Sequence, residues 1–351
     1  MVRMISPIVV RLAVALALVL LAVAGGGSPA AAQSAPQVVN IYSARHYGAL
    51  ESVFKRFTQE TGIEVRLSQG SVQSLLERLR AEGRATPADA VLFIDAGGLW
   101  IAAEEGLLQR VDSAVLRQNV PNALRDPTDR WFGLTQRARV IVYNVNRVRP
   151  SELSTYAALG DPRWNGRLCL RPSSHIYTQA LVAHFIALHG EKVTEEQIVR
   201  PWVRNNPRYI DSDTRILETI AAGGCDVGIT NHYYVAQQLA RNPDFPVRIF
   251  WPNQNEAGAH VNVSGMGVTT AARNRDNAIR LLEWLSTDGK GQGAAPDTLS
   301  GGNFEYPANP VAPVHPIVAG FGTFKIDPIG KFEYGRFQPA AIRLMERAGY
   351  R

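Results

Sequence analysis

The sequence predicts an α/β protein of two lobes, each a mainly parallel sheet flanked by helices, with a ligand cleft between them. Three observations carry that expectation. A chain of 351 residues is too long for one ordinary core. From Val38 onward, β-prone runs alternate with segments of helical spacing, the rhythm of parallel strands joined by crossover helices. Three of the strands end in polar loops that carry tyrosine just before or at a helix start. Those are the carboxyl ends where open α/β sheets gather ligands.

Met1 to Ala32 reads as a secretory leader. Arg3 and Arg11 give the positive start, Leu12 to Ala24 is an unbroken apolar run, and Ala30 to Ala32 is a small-residue cleavage site. The run is short for a bilayer span and Gly25 to Pro29 breaks it. No cysteine stands near the cleavage site, so a lipid anchor is not expected. The expected product is a soluble periplasmic chain starting near Gln33.

Val38 to Tyr42 is the first strand. Leu50 to Thr61 follows with Leu50, Val53, Phe54 and Phe57 on one helical face, and Gly62 stops it. Ile63 to Leu67 returns as a strand. Val72 to Glu82 is a second helix, with Ser71 as its N-cap. Ala90 to Ile94 is the next strand, ending at Asp95-Ala96-Gly97-Gly98. Gly133 to Asn146 is β-rich around Val140-Ile141-Val142-Tyr143 and reads as a crossing between lobes, with Val261 to Val268 as the return. Between them lie strands Leu168–Leu170, Asp226–Ile229 and Val247–Trp251, and helices Thr178–Leu188, Thr214–Ala222 and Val235–Ala240. Asn277–Leu285 and Ala340–Ala348 are late helices, and Pro307 to Pro316 is an ordered surface strap. The expected division is a leader at 1–32, the N-terminal part of the first lobe at 33–138, the second lobe at 139–265, and a return to the first lobe with the C-terminal helices at 266–351.

Composition excludes several classes. The formal charge of +6 includes Arg3 and Arg11 of the leader. The remaining basic residues are scattered, without a Lys/Arg tract or aromatic–basic alternation, so no nucleic-acid partner is expected. No GxSxG, HExxH or P-loop is present and no cysteine pairs with a histidine as a nucleophile, so an enzyme is not expected. Cys169 and Cys225 are the two cysteines. In an oxidising export compartment such a pair favours a disulfide, worth about 3–4 kcal/mol for a loop of that length.

The candidate site comes from the three tyrosine-bearing strand ends. They are Ser43-Ala44-Arg45-His46-Tyr47, Arg171-Pro172-Ser173-Ser174-His175-Ile176-Tyr177, and Thr230-Asn231-His232-Tyr233-Tyr234. Neighbouring residues share no face of a helix or strand, so Tyr233 and Tyr234 are expected on a turn if both aim at one point. Phenols ionise near neutral pH only beside strong positive charge, which a trivalent cation supplies. Zn(II) favours Cys, His and carboxylate, and Ca(II) favours carboxylate and carbonyl oxygen. Four phenols and an imidazole therefore point to Fe(III), with Arg137 or Arg139 offsetting the excess negative charge.

Those segments, together with Asp95-Ala96-Gly97, Arg137-Ala138-Arg139-Val140, Cys169-Leu170-Arg171-Pro172-Ser173-Ser174, Gly224-Cys225-Asp226, Trp251-Pro252-Asn253-Gln254, Val261 to Gly265 and Glu305-Tyr306-Pro307, carry a resemblance over nearly all of the exported chain. The chain resembles the periplasmic ferric-iron-binding proteins of ABC transporters, of type II periplasmic binding fold, and within them the FutA-like branch. The resemblance implies His46, Tyr47, Tyr177, Tyr233 and Tyr234 as metal ligands and Arg137, less readily Arg139, beside the metal. It also implies a Cys169–Cys225 disulfide, Fe(3+) as cargo with a synergistic anion such as carbonate or citrate, a monomer, and an inner-membrane ABC permease as partner. His175 and His232 depart from the usual residues there and are expected at the surface or behind the ligands. The competing expectation is a binding protein of the same fold for a polyamine, thiamine or a phosphonate, with Ser173 and Ser174 at a helix start suited to an oxyanion.

Overall fold

The computed structural model describes residues 37–45 and 50–351. The expected leader and the candidate ligands His46 and Tyr47 lie outside the described residues. Among the described residues no helix is long and apolar enough to cross a membrane.

In chain order the strands are β1 (Val38–Ser43), β2 (Glu64–Gln69), β3 (Ala90–Phe93), β4 (Phe132–Asn144), β5 (Leu168–Leu170), β6 (Arg208–Tyr209), β7 (Val227–Asn231), β8 (Val247–Phe250), β9 (Val261–Val268) and β10 (Tyr306–Pro307). The main helices are α1 (Leu50–Thr61), α2 (Val72–Glu82), α3 (Ala96–Glu104), α4 (Ile176–His189), α5 (Asp213–Ala221), α6 (His232–Arg241), α7 (Arg275–Ser286) and α8 (Glu333–Ala348). The reasons are local. α2 starts at Ser71, whose hydroxyl accepts from the Ser74 amide, and buries Val72, Leu75, Leu76 and Leu79 along one stripe. α3 starts at Asp95, whose carboxylate accepts from the Gly97 and Gly98 amides.

The strands run in the order β2-β1-β3-β9-β4-β7-β5-β6, with β8 and β10 also on β4. β1, β2 and β3 are parallel, and so are β5, β6 and β7. Each group meets one antiparallel intruder: β9 beside β3, and β4 beside β7. β4 joins the groups. Its residues up to Ala138 pair with β9, and from Arg139 on they pair with β7. The change of partner falls between Ala138 and Arg139, where the Arg139 amide donates to the His260 carbonyl at 3.0 Å.

One apolar core lies around β1, β3, α1 and α7, with Ile41, Val53, Phe57, Val91 and Leu281 fully buried. A second joins α4 to α8 through Leu181, Val182, Phe185, Ala341, Leu344 and Met345. A third, smaller core lies under α5, from Val140, Cys169, Ile216, Ile220 and Cys225. Tyr334, in the first turn of α8, belongs to the first core while the rest of that helix belongs to the second. Cys169 and Cys225 form the disulfide across 56 residues. It ties β5 to the turn that enters β7. Gly228, beside Cys169 in the register, has no room for a side chain: a Cβ there would meet the Cys169 carbonyl oxygen at 2.8 Å.

Candidate metal centre

β5 and β7 are neighbours, so the helices that follow them start side by side. Tyr177 is the second residue of α4. Tyr233 and Tyr234 are the second and third residues of α6. The expectation of a turn for this pair is thereby corrected. β7 runs straight into α6 with Asn231 as the extended N-cap, leaving no loop between them. Two adjacent rings still come together at the start of this helix, 4.3 Å between centres and tilted by 36°.

Tyr177 and Tyr233 are buried, and their phenol oxygens lie 3.2 Å apart. Asn231 Nδ2 donates to the Tyr233 oxygen at 3.3 Å. The opening amides of a helix lack intrahelical partners and its N-terminus carries partial positive charge. Two such ends therefore bias this place toward anionic oxygen.

Arg137 and Arg139 stand two residues apart on β4, hence on one face of the strand. Their guanidinium carbons lie 5.2 and 5.6 Å from the Tyr177 ring centre. Their other contacts differ. Arg139 forms a buried ion pair with Asp213 and also donates to the Ile229 carbonyl and the Asn231 side chain. Arg137 donates to Ser264 Oγ at 3.4 Å and stands 3.9 Å from the Asp95 carboxylate. Burial pushes the Asp95 carboxyl above its ordinary range, opposed by the charge of Arg137 and by bonds from Asn262, Gly98 and Gly97. Asn262 Nδ2 donates to Asp95 at 2.7 Å and so links β9 to the start of α3.

Both extra histidines have hydrogen-bond partners on the backbone. His232 is fully buried rather than at the surface. Its Nδ1 accepts from the Ala138 amide at 3.2 Å, and its Nε2 donates to the Phe304 carbonyl at 3.1 Å. Neither ring nitrogen is left for a metal. Burial, reinforced by Arg137, pushes it down to about 3 although both backbone bonds oppose the shift. His175 caps α4 by accepting from the Tyr177 amide and packs edge-on to the Tyr177 ring at 4.6 Å. Burial and the charge of Arg171 push it down to about 4. Ser173 is tied through its backbone, donating from its amide to the Arg351 carbonyl and accepting from Gln179.

Asp213 escapes sequence reasoning. It binds Arg139 and the Asn231 amide, and lies 3.5 Å from Arg171. The only sequence signal is the Ser212-Asp213 helix start, which predicts a cap and says nothing of the tertiary ion pair.

A second group of potential ligands lies under the crossing strands. Nitrogen or oxygen atoms of His184, His260 and Asp327 all fall within 4.8 Å of one another, and all three residues are buried. Lys331 already places an ammonium 3.6 Å from the Asp327 carboxylate. Burial would raise Asp327, but His184 and Lys331 bring it below its ordinary range. This group is charge-balanced from within and reads as polar packing.

The sequence matches the family described as bacterial extracellular solute-binding protein over residues 52–313. The chain belongs to that family. Within the solute-binding proteins it is 41% identical over 343 residues to iron uptake protein A2 of Synechocystis sp., covering 95% of each chain. It is 40% identical over 322 residues to iron uptake protein A1 of the same organism, covering 90% of this chain and 88% of that one. Among solved structures, Trichodesmium FutA in complex with iron and citrate superposes with a TM-score of 0.82 at 40% identity, covering 90% of this chain and all of the other. The architecture of this solute-binding protein is accordingly the two-lobe α/β fold of type II.

Proposed function

We propose that this protein captures ferric iron outside the cytoplasm and hands it to an ABC permease in the inner membrane. The observation that carries the reading is the pair of buried phenol oxygens of Tyr177 and Tyr233, 3.2 Å apart, with the Tyr234 ring tilted against that of Tyr233 and two guanidiniums over the Tyr177 ring. Relatives named for iron uptake and a relative solved with iron and citrate support the cargo.

The ligand set is Tyr177, Tyr233 and Tyr234 from one lobe and His46 and Tyr47 from the loop after β1. Four phenolates on Fe(III) leave one net negative charge. Arg137 balances it and Arg139 holds the surrounding frame, while carbonate or citrate completes the coordination. The lobes divide near Ala138/Arg139 on β4 and at His260, just before β9, and closure about those crossings brings the end of β1 toward the tyrosines. The protein works as an exported monomer in the periplasm after loss of residues 1–32, and binds rather than transforms its cargo.

The test is a titration of the purified protein with ferric citrate, followed by visible absorption. A phenolate-to-iron charge-transfer band at one equivalent is expected. Tyr177→Phe with Tyr233→Phe should shift and weaken the band and weaken binding about a thousandfold, on the order of 4 kcal/mol. A double variant that binds iron like the unmodified protein ends this reading.

A further inference from the structure

The tyrosine pair is held from a distant part of the chain. Asn303, Phe304 and Glu305 follow one another, and each makes a different connection. Asn303 Oδ1 accepts from Gln237 of α6 at 3.0 Å. The Phe304 carbonyl accepts from His232 Nε2 at 3.1 Å, one residue before Tyr233. The Glu305 carboxylate pairs with Arg45, just beyond β1, at 2.6 Å with both side chains buried. Arg45 also donates to Thr135 of β4 and to the Leu299 carbonyl.

The backbone at the middle of this run is unusual. Phe304 has φ 56° and ψ 32°, a left-handed conformation that a bulky residue seldom adopts. Such conformations persist only where the surroundings over-determine them. Here the conformation lets successive residues reach opposite ways, the Phe304 carbonyl toward α6 and the Glu305 carboxylate toward β1. His232 carries the connection onward, because its other nitrogen accepts from the Ala138 amide where β4 changes partner.

We propose that Asn303–Glu305 is a positioning strap for the tyrosine centre: it fixes the first turn of α6, and with it Tyr233, against the end of β1. The assignment rests on the ferric reading above. His232 is then a positioning residue, and its bond to the Phe304 carbonyl is the link that sets how long the cargo is held.

Two replacements of His232 separate its nitrogens. Gln places an amide donor near the Nε2 position and keeps the link to Phe304. Asn places an amide oxygen near the Nδ1 position and keeps only the bond from Ala138. The iron-loaded exported chain is mixed with excess EDTA, and decay of the charge-transfer band gives the release rate. His232→Asn should release iron about tenfold faster, the ordinary worth of one buried hydrogen bond. His232→Gln should stay near the unmodified rate. Gln237→Ala, at a partly exposed site that folding tolerates, should speed release by about threefold. Thermal midpoints of the apo variants should fall alike for Asn and Gln, so a merely structural role predicts equal release. Equal release from Asn and Gln, or faster release from Gln, overturns the strap. If neither folds, an unchanged rate in Gln237→Ala overturns it. Absence of the band from the unmodified protein overturns the ferric reading and this one with it; a normal band with unresponsive variants overturns the strap alone.

Discussion

The tyrosine centre and the histidine cluster under the crossing both bury ionisable groups, yet they are built to opposite ends. In the cluster, the Asp327 carboxylate lies between His184 at 3.5 Å and the Lys331 ammonium at 3.6 Å. Its charges are answered by neighbours that packing holds in place. In the tyrosine centre, phenol oxygens face one another at two helix starts, and Arg137 has its carboxylate neighbour at 3.9 Å with the Tyr177 ring nearby. Three potential metal ligands in one place do not make a metal site when an ammonium already fills its electrostatic role. The three tyrosines, at two helix starts beside two guanidiniums, are the group on which the proposed metal site rests.

The comparison breaks most easily at Asp327. Asp327→Asn leaves Lys331 buried without its counter-charge, which should cost about 3–5 kcal/mol of stability. The charge-transfer band should keep its position and stoichiometry. Chemical denaturation of the apo protein and titration of the folded variant check the two halves. A variant that loses its iron band while folded would mean that the histidine cluster takes part in binding.

The next effect is that of the disulfide. Opening Cys169–Cys225, by reduction or by a Cys169→Ala, Cys225→Ala pair, should cost about 3–4 kcal/mol. Because it ties β5 to the entry of β7, the strands that deliver Tyr177 and Tyr233, it should also speed iron release. Unchanged release would show that the pairing of β5 with β7 is sufficient alone.

A pH dependence, spread over several groups rather than placed on one, sharpens the contrast. His232 and His175 are pushed down to about 3 and about 4, and burial lowers His184 and His260 as well. In the unfolded chain each titrates near 6.5, so below that pH the unfolded state takes up protons that the native state refuses. Apo stability should thus be full above about pH 6.5 and should decline as pH falls toward 4, by up to about 1.4 kcal/mol per pH unit for each such histidine. Denaturant midpoints at neutral and acidic pH measure it, and a flat profile would mean these rings are protonated in the native state. Acid release of iron follows a different course, because protons compete there for phenolate oxygen.

Much of the frame is legible from local pattern. Val72–Glu82 with Ser71 as its cap and the strand Val261–Val268 stand at their expected bounds, because periodicity and capping are local properties. The start of α6 is not legible. Asn231 is a residue type that favours N-caps, but its side chain makes no cap bond, and Thr230-Asn231-His232 does not fix whether the helix begins at once or after a turn. The Arg139–Asp213 and Arg45–Glu305 pairs are invisible for another reason: they join residues 74 and 260 positions apart. Their meeting is set by strand order, which residue spacing does not encode. His232 is the instructive case. As one of several histidines near tyrosines it reads as a competing ligand, and only the fold reveals that both of its ring nitrogens are bonded to backbone.

The partner change on β4 has a consequence for what evolution can do to this chain. Arg137 and Arg139 reach the same ring because a strand repeats every two residues, and they flank the point where the strand leaves β9 for β7. Substitution there removes one charge at a time. Insertion or deletion of a single residue would turn every later side chain to the other face, carrying Arg139 away from Tyr177 and Asp213. Across this stretch, chain length should vary less than residue identity.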